Sequence, residues 1–293
     1  MTLAKIFDSP QPLPAVPRVV QQLIQSFSRD DVAVEEIATG LAADPVLSAK
    51  TLRLANSAYF HVSRRIGTVD DALRMLGFVM VRNLVIGCGM VGAFKPMAGF
   101  DLPQFWRHSL HTACGARWLA PAAGQNSDLA FTLGLVHGLG QLLMHAVQPA
   151  LMRPIDAHCH PLAAERAAAE LSALGYHYGE VSAELALRWK FPAEFAVPLQ
   201  AHTDPAQARP ASPMAALLHM AAWRARVDAL QLADEAIAAS LPVKVARLIG
   251  LPVHWDAAAA TLKVEHADLP TLMPALGDLS AGMEAMFQPV NSG

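Results

Sequence analysis

Apolar residues recur along this chain every three or four positions, a spacing that predicts helices from end to end. After an extended, proline-punctuated entry at Pro12–Pro17, Val19, Val20, Leu23, Ile24 and Phe27 make one apolar stripe. A second short helix carries Val34, Ile37, Ala38 and Leu41. Asp44-Pro45 reads as a helix start, since aspartate accepts from an orphan N–H and proline lacks the donor that the first turn would waste. That helix runs to about Asn56, with Leu47, Thr51 and Leu54 on one face. Thr68, with Asp71 three residues on, has the form of a capping box; Leu73 and Leu76 face inward before Gly77 ends the turn. A long apolar helix follows over residues 78–94.

Residues 95–103 (Lys-Pro-Met-Ala-Gly-Phe-Asp-Leu-Pro) break the pattern and mark a lobe boundary. Beyond it, helices are predicted over residues 104–120, 127–147, 163–174, 179–189 and 193–202, the last kinked at Pro198. A proline-rich loop at 203–213 precedes helices over 214–227 and 232–249. No run alternates strictly between apolar and polar residues within turn signals, so no strand is expected.

Composition sharpens this picture. Hydrophobic residues make up 53% of the 293 positions and charged residues 16%, and the abundant alanine and leucine are good helix formers. A net charge of −3 leaves no basic footprint for nucleic acid, and Arg64-Arg65 with Lys50 and Arg53 read as a solvated face. The two most apolar windows are interrupted, one by Arg82 and Asn83, the other by His137, Gln141 and His145. Both therefore read as core helices of a soluble protein rather than membrane spans. The N-terminal residues lack a signal-peptide core, and three cysteines without regular spacing (Cys88, Cys114, Cys159) fit a reducing cytoplasm.

Six segments, in order, carry a family resemblance: Leu13-Pro-Ala-Val-Pro17; Asp44-Pro-Val-Leu-Ser-Ala-Lys-Thr-Leu-Arg-Leu-Ala-Asn-Ser-Ala-Tyr-Phe60; Ala72-Leu-Arg-Met-Leu-Gly77 running into Val81-Arg-Asn-Leu84; Phe105-Trp-Arg-His-Ser-Leu-His-Thr-Ala113; Ala130-Phe-Thr-Leu-Gly-Leu-Val-His-Gly-Leu-Gly140; and Trp189-Lys-Phe-Pro192 leading to His202. Together they resemble the HDOD family, a degenerate branch of the HD metal-dependent phosphohydrolases, over about residues 12–205. The resemblance implies an all-α, two-lobed fold: an N-terminal lobe at 12–97, an HD-like lobe at 98–212, and additional C-terminal helices over 213–293. It also implies a regulatory role in bacterial signalling.

Active HD hydrolases build their metal site from histidines and aspartates on several helices, because hard divalent cations favour carboxylate oxygens. Carried over residue by residue, the first histidine is His108 and the second His137, but the aspartate partner falls on Gly138. A later histidine falls on Tyr178, with His177 beside it, a histidine pair becomes His202-Thr203, and the last aspartate becomes Ala222. What remains is a vestigial pocket of His108, His137 and His202 with no carboxylate, so neither a metal nor another cofactor is expected. Asp156-Ala-His-Cys-His160 lacks a second ligand pair and reads as a loop or helix end. His111 reads as a packing residue, with Gly115 on the same stripe allowing close helix contact.

Two functions follow as expectations. One is a non-catalytic signalling module, not an enzyme, that works through protein partners, with Lys50, Arg53, Asn56 and Tyr59 as its interaction surface and a small nucleotide as a ligand for the emptied pocket. Asn56 as a helix cap and Arg53 as an ion-pair partner are the structural alternatives for that surface. The other is a residual phosphohydrolase acting on a nucleotide or cyclic dinucleotide, its metal shell completed by Glu170, Glu180 or Asp204.

Overall fold

The computed structural model describes residues 3–8, 14–25, 34–56, 62–266 and 272–287. Its first helices are α1 (Ala4–Phe7), α2 (Arg18–Gln25), α3 (Val34–Ala42), α4 (Pro45–Ala55), α5 (Val69–Leu76) and α6 (Phe78–Ala93). Next come α7 (Leu102–Leu119), α8 (Ser127–Val136), α9 (Leu139–Val147), α10 (Pro149–Asp156), α11 (Arg166–Leu174), α12 (Tyr178–Arg188) and α13 (Ala196–Ala201). The remainder holds α14 (Pro213–Ala229), α15 (Asp234–Ser240), α16 (Val243–Leu248), a hairpin of β1 (Val253–Asp256) and β2 (Thr261–Val264), and α17 (Leu276–Leu279).

The helix starts are built as capping chemistry requires. Asp44 accepts from the Leu47 N–H at 2.9 Å and Thr68 from the Asp71 N–H at 3.0 Å. At the other end of α5, Gly77 takes a positive φ of 79°, open to glycine without the steric cost that a side chain would bring.

The long helix α6 is buried on every side from Val81 to Met90 and packs on α2, α4, α5 and α8. Its polar Asn83 is turned to use there, accepting a hydrogen bond from the Thr132 hydroxyl of α8. α7 lies between α8 and α14, and its contacts with those two are the most extensive in the protein. The pair α8–α9 is long and apolar enough to cross a membrane, yet 89% of it is inside the protein, so it forms core.

Several expectations are corrected. The helix expected over 127–147 is broken at His137-Gly138, and Ser182 of α12 explains how the break is tolerated. Its hydroxyl donates to the His137 carbonyl and accepts from the Gly140 N–H, both at 2.8 Å. The helix expected over 232–249 is two, because Pro242 cannot supply the N–H that a continuous helix needs. Pro198 makes no kink: it sits in the first turn of α13, where its missing donor is not used. Helix α10 was not anticipated, and an antiparallel hairpin stands where no strand was expected, with Val253 opposite Val264 and Asp256 opposite Thr261. The closing 3₁₀ turn Met283–Phe287 packs on α4, α6 and α7, where Phe287 stacks on Trp106 with ring centroids 5.9 Å apart.

Two glycines set how closely the helices approach. A Cβ on Gly134 of α8 would stand 2.6 Å from Ala113 Cα of α7, and one on Gly140 of α9 would stand 2.1 Å from the Tyr178 carbonyl oxygen. Gly115 needs no such freedom, since its Cβ would meet Ala221 of α14 at an ordinary 3.6 Å. A Gly140→Ala substitution should therefore cost about 3 kcal/mol or more, since backbone must move to admit the methyl. Gly115→Ala should be close to neutral. Urea unfolding of both variants checks the contrast, and equal losses would mean that the α9–α12 contact is not the tight one.

Candidate functional site

Four elements bring the predicted histidines together. His108 lies midway along α7, His137 at the break between α8 and α9, and His202 at the end of α13. The His108 and His137 ring centroids are 5.4 Å apart, and those of His137 and His202 are 5.3 Å apart. Tyr178, at the start of α12, adds a ring 5.5 Å from His202. All three histidines are buried.

Each ring is fixed by a carbonyl. His137 Nδ1 donates to the Gly134 oxygen at 2.6 Å, His202 Nδ1 to the Leu199 oxygen at 2.7 Å, and His108 Nε2 to the Ala222 oxygen at 3.3 Å. A carbonyl only accepts, so these contacts set the tautomers. Burial, reinforced by the nearby His137 and Arg226, holds His108 well below the ordinary imidazole value. Burial, with a smaller push from Arg226, takes His137 down to about 4 against the pull of its carbonyl bond. His202 is lowered by burial and by His137. Three neutral imidazoles result.

Three residues close the space beside the histidines. A Cβ on Gly138 would lie 2.9 Å from Phe105 Cε2, so the phenyl ring occupies the space that a side chain at position 138 would need. Ala222 brings no carboxylate to the pocket, and its backbone oxygen faces His108. Arg226, one helical turn further along α14, lines the same pocket, with its Nε donating to the Leu162 carbonyl at 2.7 Å. The cavity left among these groups is only about 20 Å³, room for about one water.

The carboxylates considered as replacements are engaged elsewhere. Glu170 is wholly buried; one oxygen accepts from Arg166 Nε and the other from the Tyr178 N–H, each at 2.7 Å. Arg166, 1% exposed, also pairs with Asp156 at 2.8 Å and donates to the Cys159 carbonyl. This buried pair ties the 157–162 turn and the start of α12 together, and so positions Tyr178. Glu180 completes a capping box with His177, and Asp204 is exposed on its loop. Among the described residues, no three histidine, cysteine or acidic side chains are grouped to hold a metal ion.

Three neutral imidazoles, no carboxylate and an adjacent guanidinium do not fit a divalent cation, whose charge would be uncompensated in this dry setting. Arg226 was not singled out by the sequence, although its place four residues after Ala222 in an apolar helix was the available signal.

The other sequence candidates sit apart from this pocket. Asn56 caps α4: its Nδ2 donates to the Leu52 and Ile66 carbonyls, and its Oδ1 accepts from the Ile66 N–H at 2.7 Å. Lys50 and Arg53 are half-buried, near enough to the Cys88 thiol of α6 to act on its charge. Tyr59 lies outside the described residues. Asp156 ends α10, and the residues from Ala157 to His160 form a turn, as read.

Comparison with known proteins agrees with this architecture. The HDOD domain profile matches residues 13–205. A candidate phosphohydrolase of Shewanella amazonensis SB2B is 30% identical, with a TM-score of 0.71 over 97% of this chain and 96% of that one. An HDOD domain protein of unknown function from Geobacter sulfurreducens is 25% identical, with a TM-score of 0.64 over 81% of this chain and 77% of its own. An uncharacterized protein of Treponema pallidum (strain Nichols) is 25% identical over 197 residues, 64% of this chain, which spans only 37% of that protein's length.

The neutral histidines make a pH prediction. The unfolded chain binds a proton on each near pH 6.5, whereas folded His137 does so only near 4. Stability should be complete above about pH 7 and fall as pH drops through 6.5 toward 4, by about 2 kcal/mol at pH 5 for His137 alone. Denaturant titrations at pH 7.5, 6 and 5 measure this, with His137→Asn expected to flatten the slope; an identical slope in the variant would contradict it. The chain belongs to the HDOD family.

Proposed function

We propose that this chain is a non-catalytic regulatory module of bacterial signal transduction, working in the cytoplasm through protein–protein contacts. The observation that carries this reading is the replacement of the metal shell: Phe105 fills the space of one lost aspartate, Ala222 replaces another, and Arg226 brings a fixed cation. A guanidinium cannot activate water as a metal does, and it opposes entry of a second cation. Histidines each fixed by a backbone carbonyl form a rigid cluster where α7, the α8–α9 break and the end of α13 meet, which suits a binding scaffold.

A second reading, a residual metal-dependent phosphohydrolase, draws on two observations. The three histidines do converge, and the Shewanella relative is named as a candidate phosphohydrolase.

Elemental analysis of protein from cells supplied with Mn, Fe and Zn separates the two, alongside hydrolysis of bis-p-nitrophenyl phosphate. The regulatory reading expects metal well below one ion per chain, unchanged in His137→Ala, and no turnover above the buffer rate. Equimolar metal that disappears in His137→Ala, with turnover that disappears alongside it, would establish the hydrolase instead.

A further inference from the structure

The histidine pocket borders a much larger cleft, about 550 Å³, running between α12, α14 and α15. That volume suits a small-molecule ligand. Much of its wall is alanine and leucine; Tyr178 and Arg226 line both the cleft and the pocket, and His202 and His219 add polar groups to the cleft.

Each of these groups has valence left over. Arg226 uses Nε on the Leu162 carbonyl, and among the described residues no carboxylate is within ion-pair distance of its Nη groups. The Tyr178 hydroxyl has no hydrogen-bond partner among the described residues. His202 donates through Nδ1, while its Nε2 is buried without a partner. His219 donates through Nδ1 to the His202 carbonyl at 2.8 Å, which leaves its own Nε2 lone pair open. The one acid lining the cleft is the exposed Glu165, whose charge water screens.

A guanidinium without an ion-pair partner among the described residues, in a cleft whose one acid is the exposed Glu165, calls for an anion. Its planar fork accepts two oxygens side by side. A carboxylate would spend both of its oxygens there and leave Tyr178 and His202 unanswered. A phosphoryl group has a third oxygen for the phenol and, when singly protonated, a P–O–H to donate to the Nε2 lone pair. The remaining volume accommodates an organic body beyond the phosphate.

We propose that this cleft binds a small phosphomonoester, with Arg226 as its anchor and Tyr178 and His202 as its further contacts. The proposal deepens the non-catalytic reading above, because it lets the site hold its ligand with no metal and without cleaving it.

Calorimetric titration of the full chain, stripped with a chelator, tests it with inorganic phosphate and 5′-AMP as probes and with adenosine and acetate as controls. The phosphate-bearing probes should bind and the controls should not. Arg226→Gln should weaken binding roughly ten- to a hundredfold, and Tyr178→Phe about fivefold. Ala239→Trp, at an exposed position on the cleft's lip, should block entry while the circular dichroism spectrum stays native. That variant keeps the test decisive if loss of Arg226 impairs folding.

Silence from both phosphate probes at millimolar concentration would overturn the proposal. So would binding indifferent to Arg226→Gln and Ala239→Trp, or acetate competing as well as phosphate. Failure here is distinct from failure of the functional reading. Metal-dependent turnover would defeat that reading, whereas a flat titration of a metal-free, inactive chain defeats this proposal alone.

Discussion

A half-buried cation needs either an acid beside it or neighbouring groups that stay uncharged, and Arg226 poses that requirement for the whole site. Its Nε is held by the Leu162 carbonyl, and the titratable rings around the pocket meet it by remaining neutral. Burial supplies most of that effect, and the guanidinium adds to it at His108 and His137. A divalent metal would bring two further charges without a carboxylate to balance them. The same arrangement that keeps metal out leaves one positive charge facing a cleft, so exclusion of one ligand and attraction of another have a single cause.

The surrounding fold serves to keep that charge and those rings in place. Close helix approach at Gly134 and Gly140 brings α7 to α8 and α9 to α12, and Ser182 stitches the break that turns His137 toward His108. On the other side, the buried Arg166–Glu170 pair holds the Tyr178 N–H and the 157–162 turn. Removing either partner would strand a buried charge, which costs more than the intact pair contributes. Further out, the turn at Met283–Phe287 packs against α4, α6 and α7, tying these helices together.

Much of this was legible in the sequence because capping chemistry and family spacing are local. Asp44, Thr68 and Gly77 act at the helix ends where they were placed, and the register of the motifs put His108, His137 and His202 in one run of neighbouring rings. What escaped was non-local or masked by burial. The run 127–147 is apolar on all sides, so its periodicity gives no sign of the break at Gly138. The two strands have four residues each, too few for alternation to stand out. Pro242 was a visible stop signal that the apolar pattern outweighed. Arg226 joins the site from 118 positions beyond His108 only because α14 packs along α7, a pairing that no local pattern announces. Phe105 was quoted for its motif, but only the geometry shows its ring filling the side-chain space at Gly138.

That three uncharged imidazoles cluster beside a guanidinium is tested most directly by the ring nitrogens themselves. Long-range ¹H–¹⁵N correlation spectra of histidine-labelled protein at pH 7 report the proton on each nitrogen. The structure predicts Nδ1–H tautomers for His137 and His202, an Nε2–H tautomer for His108, and bare lone pairs on the opposite nitrogens. Doubly protonated rings at neutral pH, or shifts that change when a chelator is added, would contradict it.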